Sequence, residues 1–420
     1  MQDALSRQRE TYLNGAAGIS PVIPFDFDKL AALARKRMTA EGYAYVAGGA
    51  GTDDSVSENR LAFGRWRILP RMLRDVSQKD LSIELFGQKL PGPLLLSPVG
   101  VLSLAHRQAD KAVARAAASQ QIPMIFSNQA STPMEDIAAE MGQAVRWFQL
   151  YWSKSNELVE SLVQRAEASG CSAIVVTLDT TMLGWRIQDL DLAYLPFLRG
   201  LGIAQYTSDP VFQQLMQLPD TEPAPPRKIT PASIGLLMQL ARNYPGSFWQ
   251  NLRSGDPIKA VRTFTRIYTN PALNWDDLAF LREKTSLPIL LKGILHPEDA
   301  RKAMDHGVDG IIVSNHGGRQ VDGSIASIDA LPGIAAVVQD KVPLILDSGL
   351  RGGADIFKAI ALGAKAICVG RPYVYGLAAA GEAGVAAVIN NLMADFELTM
   401  ALSGCAAIQE IGPHCLKRVG

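Results

Sequence analysis

Short apolar runs recur along the chain from about residue 90, and each is followed by a longer stretch in which apolar residues have helical spacing. The runs do not alternate apolar with polar positions and are rich in leucine and β-branched residues. This pattern is typical of strands that are buried on both faces of a parallel sheet. It predicts eight strands, at Leu94–Gly100, Met124–Ser127, Trp147–Trp152, Ala173–Asp179, Ile289–Ile294, Gly310–Gly317, Pro343–Gly349 and Ala366–Pro372.

The stretches between the runs predict helices, and several carry helix start signals such as Thr132-Pro133 and His296-Pro297. The predicted helices are Arg107–Gln121, Pro133–Met141, Ser155–Ser169, Pro297–Asp305, Ser327–Gln339 and Gly353–Leu362. Eight strands that alternate with helices favour an α/β fold, the TIM (β/α)8 barrel. A doubly wound open sheet is the alternative, but it usually has fewer strands and often a GxGxxG turn, which this sequence lacks.

The barrel is predicted to span residues 91–420 and to end in a helix at Gly384–Leu402. Residues 1–90 are expected to form an N-terminal entry segment that packs on the barrel, with a glycine-rich turn at Gly48–Gly51.

One connection is unusually long, because residues 183–270 contain no clear strand. Its stretch Pro219–Pro231 is rich in proline and is predicted to be extended or disordered. Long connections on compact barrels are usually lids or functional insertions. Because this one follows the fourth strand, it leaves from the face of the barrel where active sites lie.

Composition excludes several classes of protein. Lys plus Arg equals Asp plus Glu, at 41 each, so no charge excess favours nucleic acid or an anionic membrane. The four cysteines form no CxxC pair, and neither a metal site nor a disulfide framework is expected. The N-terminus lacks the apolar core of a signal peptide, and no stretch has the roughly 18 to 20 apolar residues that span a bilayer. We therefore expect a cytoplasmic protein.

Polar residues stand at the ends of the predicted strands, where TIM barrels carry their reactive groups. His316 is the one histidine at such a position, which favours a general base, and Asp179 could orient it. Lys292 lies inside the apolar run ILLKGI, and a buried lysine needs an acceptor. It belongs either to the active site or to a salt bridge inside the barrel.

The loops after the last two strands indicate a phosphate site. The sequence Gly349-Leu350-Arg351-Gly352-Gly353 offers backbone N–H groups and leads into a helix, and Arg371 adds a second cation. These are the usual phosphate-binding loops of the fold.

The motifs FQLYW, TLDT, LGWR, LLKGI, SNHGGRQ, DSGLRGGADIFKAIALGA and VGRPY together resemble the FMN-dependent 2-hydroxy acid oxidases and dehydrogenases. The resemblance runs from about Tyr43 to the C-terminus. It implies a barrel that binds FMN at its C-terminal face and oxidises a small L-2-hydroxy acid. Family members commonly form tetramers or octamers, so the resemblance also implies a homo-oligomer.

The resemblance assigns roles residue by residue. His316 would take a proton from the substrate, Asp179 would support the resulting charge, and Lys292 would stabilise reduced FMN. Substrate contacts would come from Tyr45, Tyr151, Arg186, His316 and Arg319. Cofactor contacts would come from Pro98, Val99, Gly100, Ser127, Gln149, Thr177, Lys292, Ser314, Asp347, Ser348, Gly349, Leu350, Arg351, Gly370 and Arg371.

Three departures from the common family pattern resemble lactate 2-monooxygenase, which converts L-lactate and O2 to acetate, CO2 and water. Gly100 stands where many members have alanine, Trp185 precedes Arg186 where they often have a second arginine, and the insertion begins GWRIQDLDLAYLPFLRG. We expect Gly100 to leave room at the flavin, Trp185 to form an apolar wall at the carboxylate site, and Tyr194–Gly202 to cover it.

Other functions are also compatible with these motifs. An oxidase would release the 2-oxo acid and H2O2, and a dehydrogenase would use another electron acceptor. An IMP dehydrogenase would need a catalytic cysteine in a barrel loop, and a flavin-dependent isomerase is a further alternative. A scaffold without activity would have no evident use for His316, Arg186, Arg319 and Lys292 together.

Overall fold

The computed structural model describes residues 3–219 and 230–419, and its centre is a closed barrel of eight parallel strands. Each strand pairs with the next along the chain, and the ladder closes where Ile367 pairs with Leu94. The TIM barrel prediction is therefore confirmed, and the open sheet is wrong. The strands are β1 Leu94–Leu96, β2 Met124–Phe126, β3 Arg146–Leu150, β4 Ile174–Thr177, β5 Ile289–Ile294, β6 Gly310–Val313, β7 Leu344–Leu346 and β8 Ala366–Val369.

The strand β5 has its predicted bounds, and the other seven strands are shorter than the predicted runs, mainly at their C-terminal ends. Leucine, isoleucine and valine fill the buried positions of the strands, as expected for a sheet with both faces covered. The polar residues that follow each strand leave the ladder and turn into the loops at the barrel mouth. Gly293, with φ of +108°, marks an irregularity in β5, and a side chain there would collide with Asp179.

Helices form the outer layer of the barrel. They are Ala109–Ser119, Met134–Met141, Asn156–Ala168, Asp277–Lys284, Pro297–Asp305, Ser327–Val338, Gly353–Ala361 and Arg371–Leu402. The last helix is longer than predicted and begins directly after β8. Its backbone leaves helical geometry at Ala380 and Gly381, so the predicted Gly384–Leu402 is its second half.

The helix Arg371–Leu402 is long and apolar enough to cross a membrane by length and composition, which the sequence analysis did not anticipate. In its most apolar window 56% of the residues are buried inside the protein. At Gly376 and Gly384 its two halves pack so closely that a side chain on either would overlap the other's backbone. Its packing is that of a core helix.

The N-terminal segment lies against the barrel and reaches its mouth. It contacts the loop after β6 through, among others, a pair of amide hydrogen bonds between Asn59 and Asn315, at 2.7 and 2.8 Å. Its turn at Gly48–Gly51 is also in place, and Ala50 N–H donates to the carbonyl of Gly318 at 2.8 Å. Its elements are helices Ala4–Ala16, Phe27–Arg37, Ala40–Ala47 and Asp54–Leu61, 3-10 helix Ala62–Arg65, a ribbon of Trp66–Ile68 with Leu416–Arg418, and a hairpin of Ile83–Leu85 with Gln88–Leu90.

The connection between β4 and β5 is helical, which the sequence analysis did not predict. Most of the predicted extended stretch Pro219–Pro231 lies outside the described residues, and Pro231 begins a helix. The helices of the connection are Ile187–Asp191, Ala204–Thr207, Pro210–Leu215, Pro231–Asn243, Phe248–Ser254 and Asp256–Ile267, with a 3-10 helix at Pro196–Arg199.

A buried carboxylate fixes this insertion to the barrel. The side chain of Asp209 is fully buried and caps the helix Pro210–Leu215 by accepting from the N–H groups of Val211 and Phe212. It also accepts from Arg165 Nη1 at 3.0 Å and from Ser161 Oγ at 2.8 Å on the barrel helix Asn156–Ala168. This one side chain therefore caps the N-terminus of the helix Pro210–Leu215 and links that helix to the barrel helix Asn156–Ala168.

We predict that Asp209→Ala lowers the free energy of unfolding by about 3 kcal/mol, because it removes a helix cap and leaves the partly buried Arg165 with one carboxylate partner fewer. Urea denaturation measures the loss, and limited proteolysis should cut first within the insertion. Asp209→Asn keeps the capping oxygen and is the matched control. Equal unfolding midpoints for Asp209→Ala and the parent would contradict this role.

Candidate active site

A cleft of about 1010 Å³, including space open to solvent, lies at the C-terminal ends of the strands. The sequence-predicted residues that line it are Tyr45, Pro98, Val99, Gly100, Tyr151, Arg186, Lys292, His316, Arg319, Asp347, Ser348, Gly349, Leu350, Arg351, Gly370 and Arg371. The structure thus brings together residues from the N-terminal segment and from all parts of the barrel.

His316 forms the reactive centre of the cleft with Asp179. Its Nδ1 lies 2.7 Å from Asp179 Oδ1, which leaves Nε2 free to face a substrate. The backbone of His316 has φ of +59°, and its N–H donates to Ser314 Oγ at 3.0 Å. This left-handed conformation is uncommon outside glycine and turns the side chain away from the strand direction.

Burial sets the protonation of this pair. Burial lowers the pKa of His316 below its ordinary value, although the Asp179 carboxylate works in the opposite direction. Burial also works to raise the pKa of Asp179, but the charges of His316 and Lys292 hold that pKa below its ordinary value. Near neutral pH the imidazole is therefore neutral and the carboxylate ionised, as a general base and its orienting group require.

Lys292 is paired inside the barrel and also lines the cleft. Its ammonium lies 3.1 Å from Asp347 Oδ2 and donates to Ser314 Oγ at 2.9 Å. Asp347 in turn accepts from Ser97 Oγ at 2.6 Å and from Ser314 Oγ at 2.7 Å. The two hypotheses for Lys292 are therefore compatible, because the ammonium forms a salt bridge inside the barrel and the residue also lines the cleft.

This pair remains ionised. Burial works to lower the pKa of Lys292, but the Asp347 and Asp179 carboxylates raise it above its ordinary value. The same ion pair, with hydrogen bonds from Ser97 and Ser314, keeps the pKa of Asp347 low despite burial. A fixed positive charge thus stands at the bottom of the cleft.

Two arginines at the last two strands are held by neutral groups. Arg371 donates to the carbonyls of Val46, Gly317 and Gly48 at 2.8 to 3.1 Å. Arg351 donates to the Leu350 carbonyl, and its guanidinium lies 4.2 Å from the centre of the Phe27 ring. Within the described residues neither guanidinium forms an ion pair with a carboxylate. Burial lowers the pKa of both, that of Arg351 to about 10.

A second pair of arginines lies beside Tyr45. Arg319 donates to the Gly48 carbonyl at 2.8 Å, and Arg186 donates to Gln320 Oε1 at 3.3 Å. Burial and the charge of Arg186 lower the pKa of Arg319 to about 9. In the described part of the chain this pair also lacks a carboxylate partner, so both arginines can accept an anion from the cleft.

Three further predicted residues lie beneath the lining, at the ends of β2, β3 and β4. Gln149 accepts from Asn128 N–H at 3.1 Å, but its own Nε2 has no hydrogen-bond partner in the described structure. The Thr177 hydroxyl is likewise buried without a partner there. Ser127 Oγ accepts from Gln129 N–H at 3.1 Å.

These features fit a ring system with polar edges and a phosphate tail. Orphaned donors at Gln149 and Thr177 need acceptors such as those of an isoalloxazine ring, since a buried unpaired polar group is costly. Arg351 and Arg371, with the glycine-rich turn before Gly353, suit a phosphate. The chain therefore has groups for both ends of FMN.

One expectation from the sequence was wrong. The Trp185 side chain is 72% exposed and does not line the cleft, because its carbonyl is fixed by Gly51 N–H at 2.8 Å while its indole turns to solvent. It forms no apolar wall at the carboxylate site. Gly100 does lie at the cleft, but a methyl group there would come within 3.0 Å of Gln129, so the space it leaves is taken by that residue.

Several wall residues escaped sequence analysis. Gln129, Thr180, Leu183 and Tyr268 line the cleft, and Tyr268 comes from the insertion far along the chain. Gln129 and Thr180 could have been found, because they stand in the loops after β2 and β4. Nothing local marks Tyr268, which reaches the cleft only through the packing of its helix.

Comparison with known proteins agrees with this geometry. The profile of the FMN-dependent dehydrogenase family matches residues 34–418. The chain belongs to this family. An L-lactate oxidase of Lysinibacillus sphaericus is 40% identical over 386 residues, which cover 92% of this chain and 91% of that protein. Human 2-hydroxyacid oxidase 1 is 38% identical over 376 residues, or 90% of this chain and 92% of that protein.

Among solved structures, the crystal structure of mandelate oxidase superposes with a TM-score of 0.74 at 33% sequence identity, and the match covers 94% of this chain and 98% of that one. Members of the family oxidise 2-hydroxy acids with FMN. This protein is therefore an FMN-dependent 2-hydroxy acid oxidoreductase.

The residues of the cleft divide the work of such an oxidation. FMN, when bound, takes up the two electrons that leave the substrate. Arg186 and Arg319 would hold the carboxylate of the acid and orient it, and the buried setting would strengthen this attraction. His316 Nε2 would accept a proton from the substrate, and the Asp179 carboxylate would stabilise the imidazolium. Lys292 would supply positive charge to the bound cofactor.

We predict that His316→Gln retains FMN but slows anaerobic flavin reduction by substrate about 10²–10⁴-fold, because the positioned base is lost. Stopped-flow bleaching of the flavin measures this rate. In the parent the rate of flavin reduction should fall at acid pH with a midpoint below pH 6.5, because burial lowers the pKa of His316 from that ordinary value. Asp179→Asn should move this midpoint to still lower pH, because it removes the charge that raises this pKa. Flavin reduction at the parent rate in His316→Gln would show that another residue is the base.

Arg371→Ala is predicted to weaken FMN binding about 10–100-fold, because a charged hydrogen bond to a phosphate is lost. Fluorescence titration of the apoprotein with FMN gives the affinity. Riboflavin, which lacks the phosphate, should bind parent and variant alike, and this comparison is the control. An equal loss of riboflavin affinity would assign Arg371 a structural role instead.

Proposed function

We propose that this protein oxidises a small L-2-hydroxy acid, with L-lactate as the leading substrate, uses O2 as the electron acceptor, and retains the 2-oxo acid long enough to decarboxylate it. Oxidation of lactate by O2 gives pyruvate and H2O2. Reaction of these two in the closed cleft gives acetate, CO2 and water. The net reaction is that of a lactate 2-monooxygenase.

The observation that supports product retention is the covering of the cleft by Phe197. This residue is 1% exposed, lies in the insertion, and meets the Tyr45 ring edge-on at a centroid distance of 6.4 Å. It also packs on Phe264 at 5.2 Å and on Tyr268 at 5.9 Å. A residue of the lid thus touches the substrate-facing tyrosine and is held from behind by two aromatic rings.

The aromatic support continues into the body of the insertion. Tyr206 is fully buried and contacts both Phe212 and Phe264, with centroid distances of 5.6 and 4.8 Å. Asp209 anchors the same helices to the barrel. Each aromatic pair adds roughly 0.5–1.5 kcal/mol beyond its buried area, so opening this lid would cost several such contacts. Slow opening favours reaction in the cleft over release of the product.

The cleft also indicates a small substrate. Gln129, Phe197 and Tyr268 all line the cleft, and Gln129 is packed against Gly100. Side chains of this size leave less free space in the cleft than small residues would, which supports a small substrate.

An oxidase that releases the 2-oxo acid and H2O2 is the second candidate. It is favoured by the L-lactate oxidases among the relatives, which have those names at about 40% identity. The two functions share every residue of the oxidative step and differ only in whether the product leaves before peroxide reacts.

The experiment is aerobic turnover of L-lactate with quantification of acetate, pyruvate and H2O2. We expect acetate as the main product of the parent. Phe197→Ala should shift products toward pyruvate and H2O2 by a factor of about ten or more, since the loss of a buried phenylalanine and its ring contacts weakens lid closure by about 3–5 kcal/mol at most. Flavin reduction should remain competent.

Leu198→Ala is the matched control, because Leu198 neighbours Phe197 but is 48% exposed. It should leave the product ratio unchanged. Stoichiometric H2O2 from the parent would overturn product retention and leave the oxidase function. Failure of L-lactate to reduce the flavin, with reduction by another 2-hydroxy acid, would overturn the choice of substrate.

A further inference from the structure

The chain ends in a short segment far from the cleft, residues 403–419, which we call the C-terminal clasp. It follows the helix Arg371–Leu402 and returns to pair Leu416–Arg418 with the strand Trp66–Ile68. Two cysteines, Cys405 and Cys415, stand near its two ends.

The backbone holds these two cysteines close together. Leu69 N–H donates to the carbonyl of Cys415 at 2.8 Å, and Arg71 N–H donates to that of Ser403 at 3.1 Å. The two donors are two residues apart on one extended stretch, so they fix both ends of the clasp side by side. Gly404 permits this approach, because a side chain there would lie 2.4 Å from the Arg71 carbonyl.

The thiols share one acceptor. Cys405 Sγ and Cys415 Sγ each lie 3.8 Å from the carbonyl oxygen of Glu410, and both residues are 5% exposed. His414 Nε2 lies 3.4 Å from Cys415 Sγ and can take its proton. Among the described residues no three His, Cys, Asp or Glu side chains converge as a metal site would require, so thiol chemistry is the natural use of this pair.

A surface cavity of about 580 Å³, including space open to solvent, reaches both cysteines. Arg71, Arg74 and His414 also line it. Arg74 is paired with the Glu410 carboxylate, which lines the same cavity, so His414 is the group placed to assist formation of a thiolate, the reactive form of cysteine. Burial and the adjoining Cys415 thiol raise the pKa of Cys405 to about 11. Cys405 therefore stays protonated in the reduced protein, and Cys415 has an imidazole nitrogen 3.4 Å from its sulfur, so it is the sulfur placed to attack first.

The other two cysteines lack this setting. Cys368 lies in strand β8 and is 1% exposed, and Cys171 is 4% exposed behind the barrel helix Asn156–Ala168. Burial raises the pKa of Cys171 to about 12 and that of Cys368 further. They serve as internal controls in the same molecule.

We propose that Cys405 and Cys415 form a reversible intramolecular disulfide when the protein meets hydrogen peroxide. His414 takes the proton of Cys415, the thiolate attacks one peroxide oxygen, the O–O bond breaks, and the leaving hydroxide recovers that proton, so a sulfenic acid and one water result. The Cys405 sulfur then attacks the Cys415 sulfur, the S–S bond forms as the S–O bond breaks, and the departing hydroxide takes the Cys405 proton and leaves as a second water. Two thiols lose two electrons and two protons, and one H2O2 becomes two H2O.

The bond would close the clasp. It would link the end of the helix Arg371–Leu402 to the strand Leu416–Arg418 and so restrict local opening of the C-terminus. This inference does not rest on the proposed function, because the oxidant is supplied peroxide and the site lies outside the cleft.

The test uses FMN-loaded protein without substrate, treated with one to ten equivalents of H2O2, then alkylated, digested and analysed by mass spectrometry. We expect a loss of two hydrogens, a peptide pair linked through Cys405 and Cys415, and reversal by a thiol reductant. Cys171 and Cys368 should remain free thiols. A dimedone adduct on Cys415 in Cys405→Ser would identify the attacking sulfur. Free thiols at both positions, a sulfinic acid, or a disulfide between chains would overturn the proposal.

Hydrogen exchange tests the consequence. In the oxidised parent the amides of Leu416–Arg418 should exchange at least about tenfold more slowly than in the reduced parent, as a cross-link restricts local opening. Cys415→Ser should show no change on peroxide treatment. If the oxidised parent carries the disulfide but its Leu416–Arg418 amides exchange as fast as in the reduced parent, the proposed restriction of the C-terminal clasp is wrong. The peptide mapping needs only the parent, so the site stays testable even if a serine variant folds poorly.

Discussion

Buried positive charge at the barrel mouth is the constraint around which this structure is organised. Arg186, Arg319, Arg351 and Arg371 converge on one cleft, and within the described residues none of these guanidiniums is neutralised by an ion pair. Burial and mutual repulsion lower the pKa of Arg319, Arg351 and Arg371, which shows how unfavourable their charges are without an anion. Anionic ligands supply the missing compensation.

The N-terminal segment makes this arrangement possible. The carbonyls of Val46 and Gly48 accept from Arg371, and Gly48 also accepts from Arg319. Neutral acceptors position the guanidiniums without cancelling their charge, whereas carboxylates at the same places would compete with the ligand. Lys292 differs, because Asp347 holds its ammonium in place. The cleft thus has one compensated cation, Lys292, and uncompensated arginines that would hold the anionic groups of cofactor and substrate.

Much of this could be predicted because the signals are local. Buried parallel strands appear in the sequence as short apolar runs, and the residues that follow each strand are the ones that reach the mouth of the barrel. His316, Asp179 and Lys292 could therefore be found from their places at or in strands. Family resemblance added Tyr45, whose link to the barrel no local pattern shows.

The remainder depends on packing between distant segments. The helix Asp256–Ile267 of the insertion is strongly amphipathic and could have been recognised from its sequence, but the packing of the insertion depends on distant rings such as Tyr206 and Phe264. Tyr268 reaches the cleft only through that packing. Trp185 was misplaced because a sequence gives the position of a residue in a loop but not the direction of its side chain. The break at Gly381 likewise depends on how two half-helices meet.

The backbone carbonyls that hold Arg371 leave its charge unpaired, and this affects the stability of the protein in a cell. A chain without its flavin keeps repelling charges at the start of its longest helix, so cofactor binding adds stability by mass action, about 2.7 kcal/mol at a free concentration of one hundred times Kd. Proteases act on the open forms of a protein, which the flavin-free chain populates more often. The abundance of this enzyme should therefore follow the vitamin supply of its host, with the least flavin-replete cells degrading the most of it.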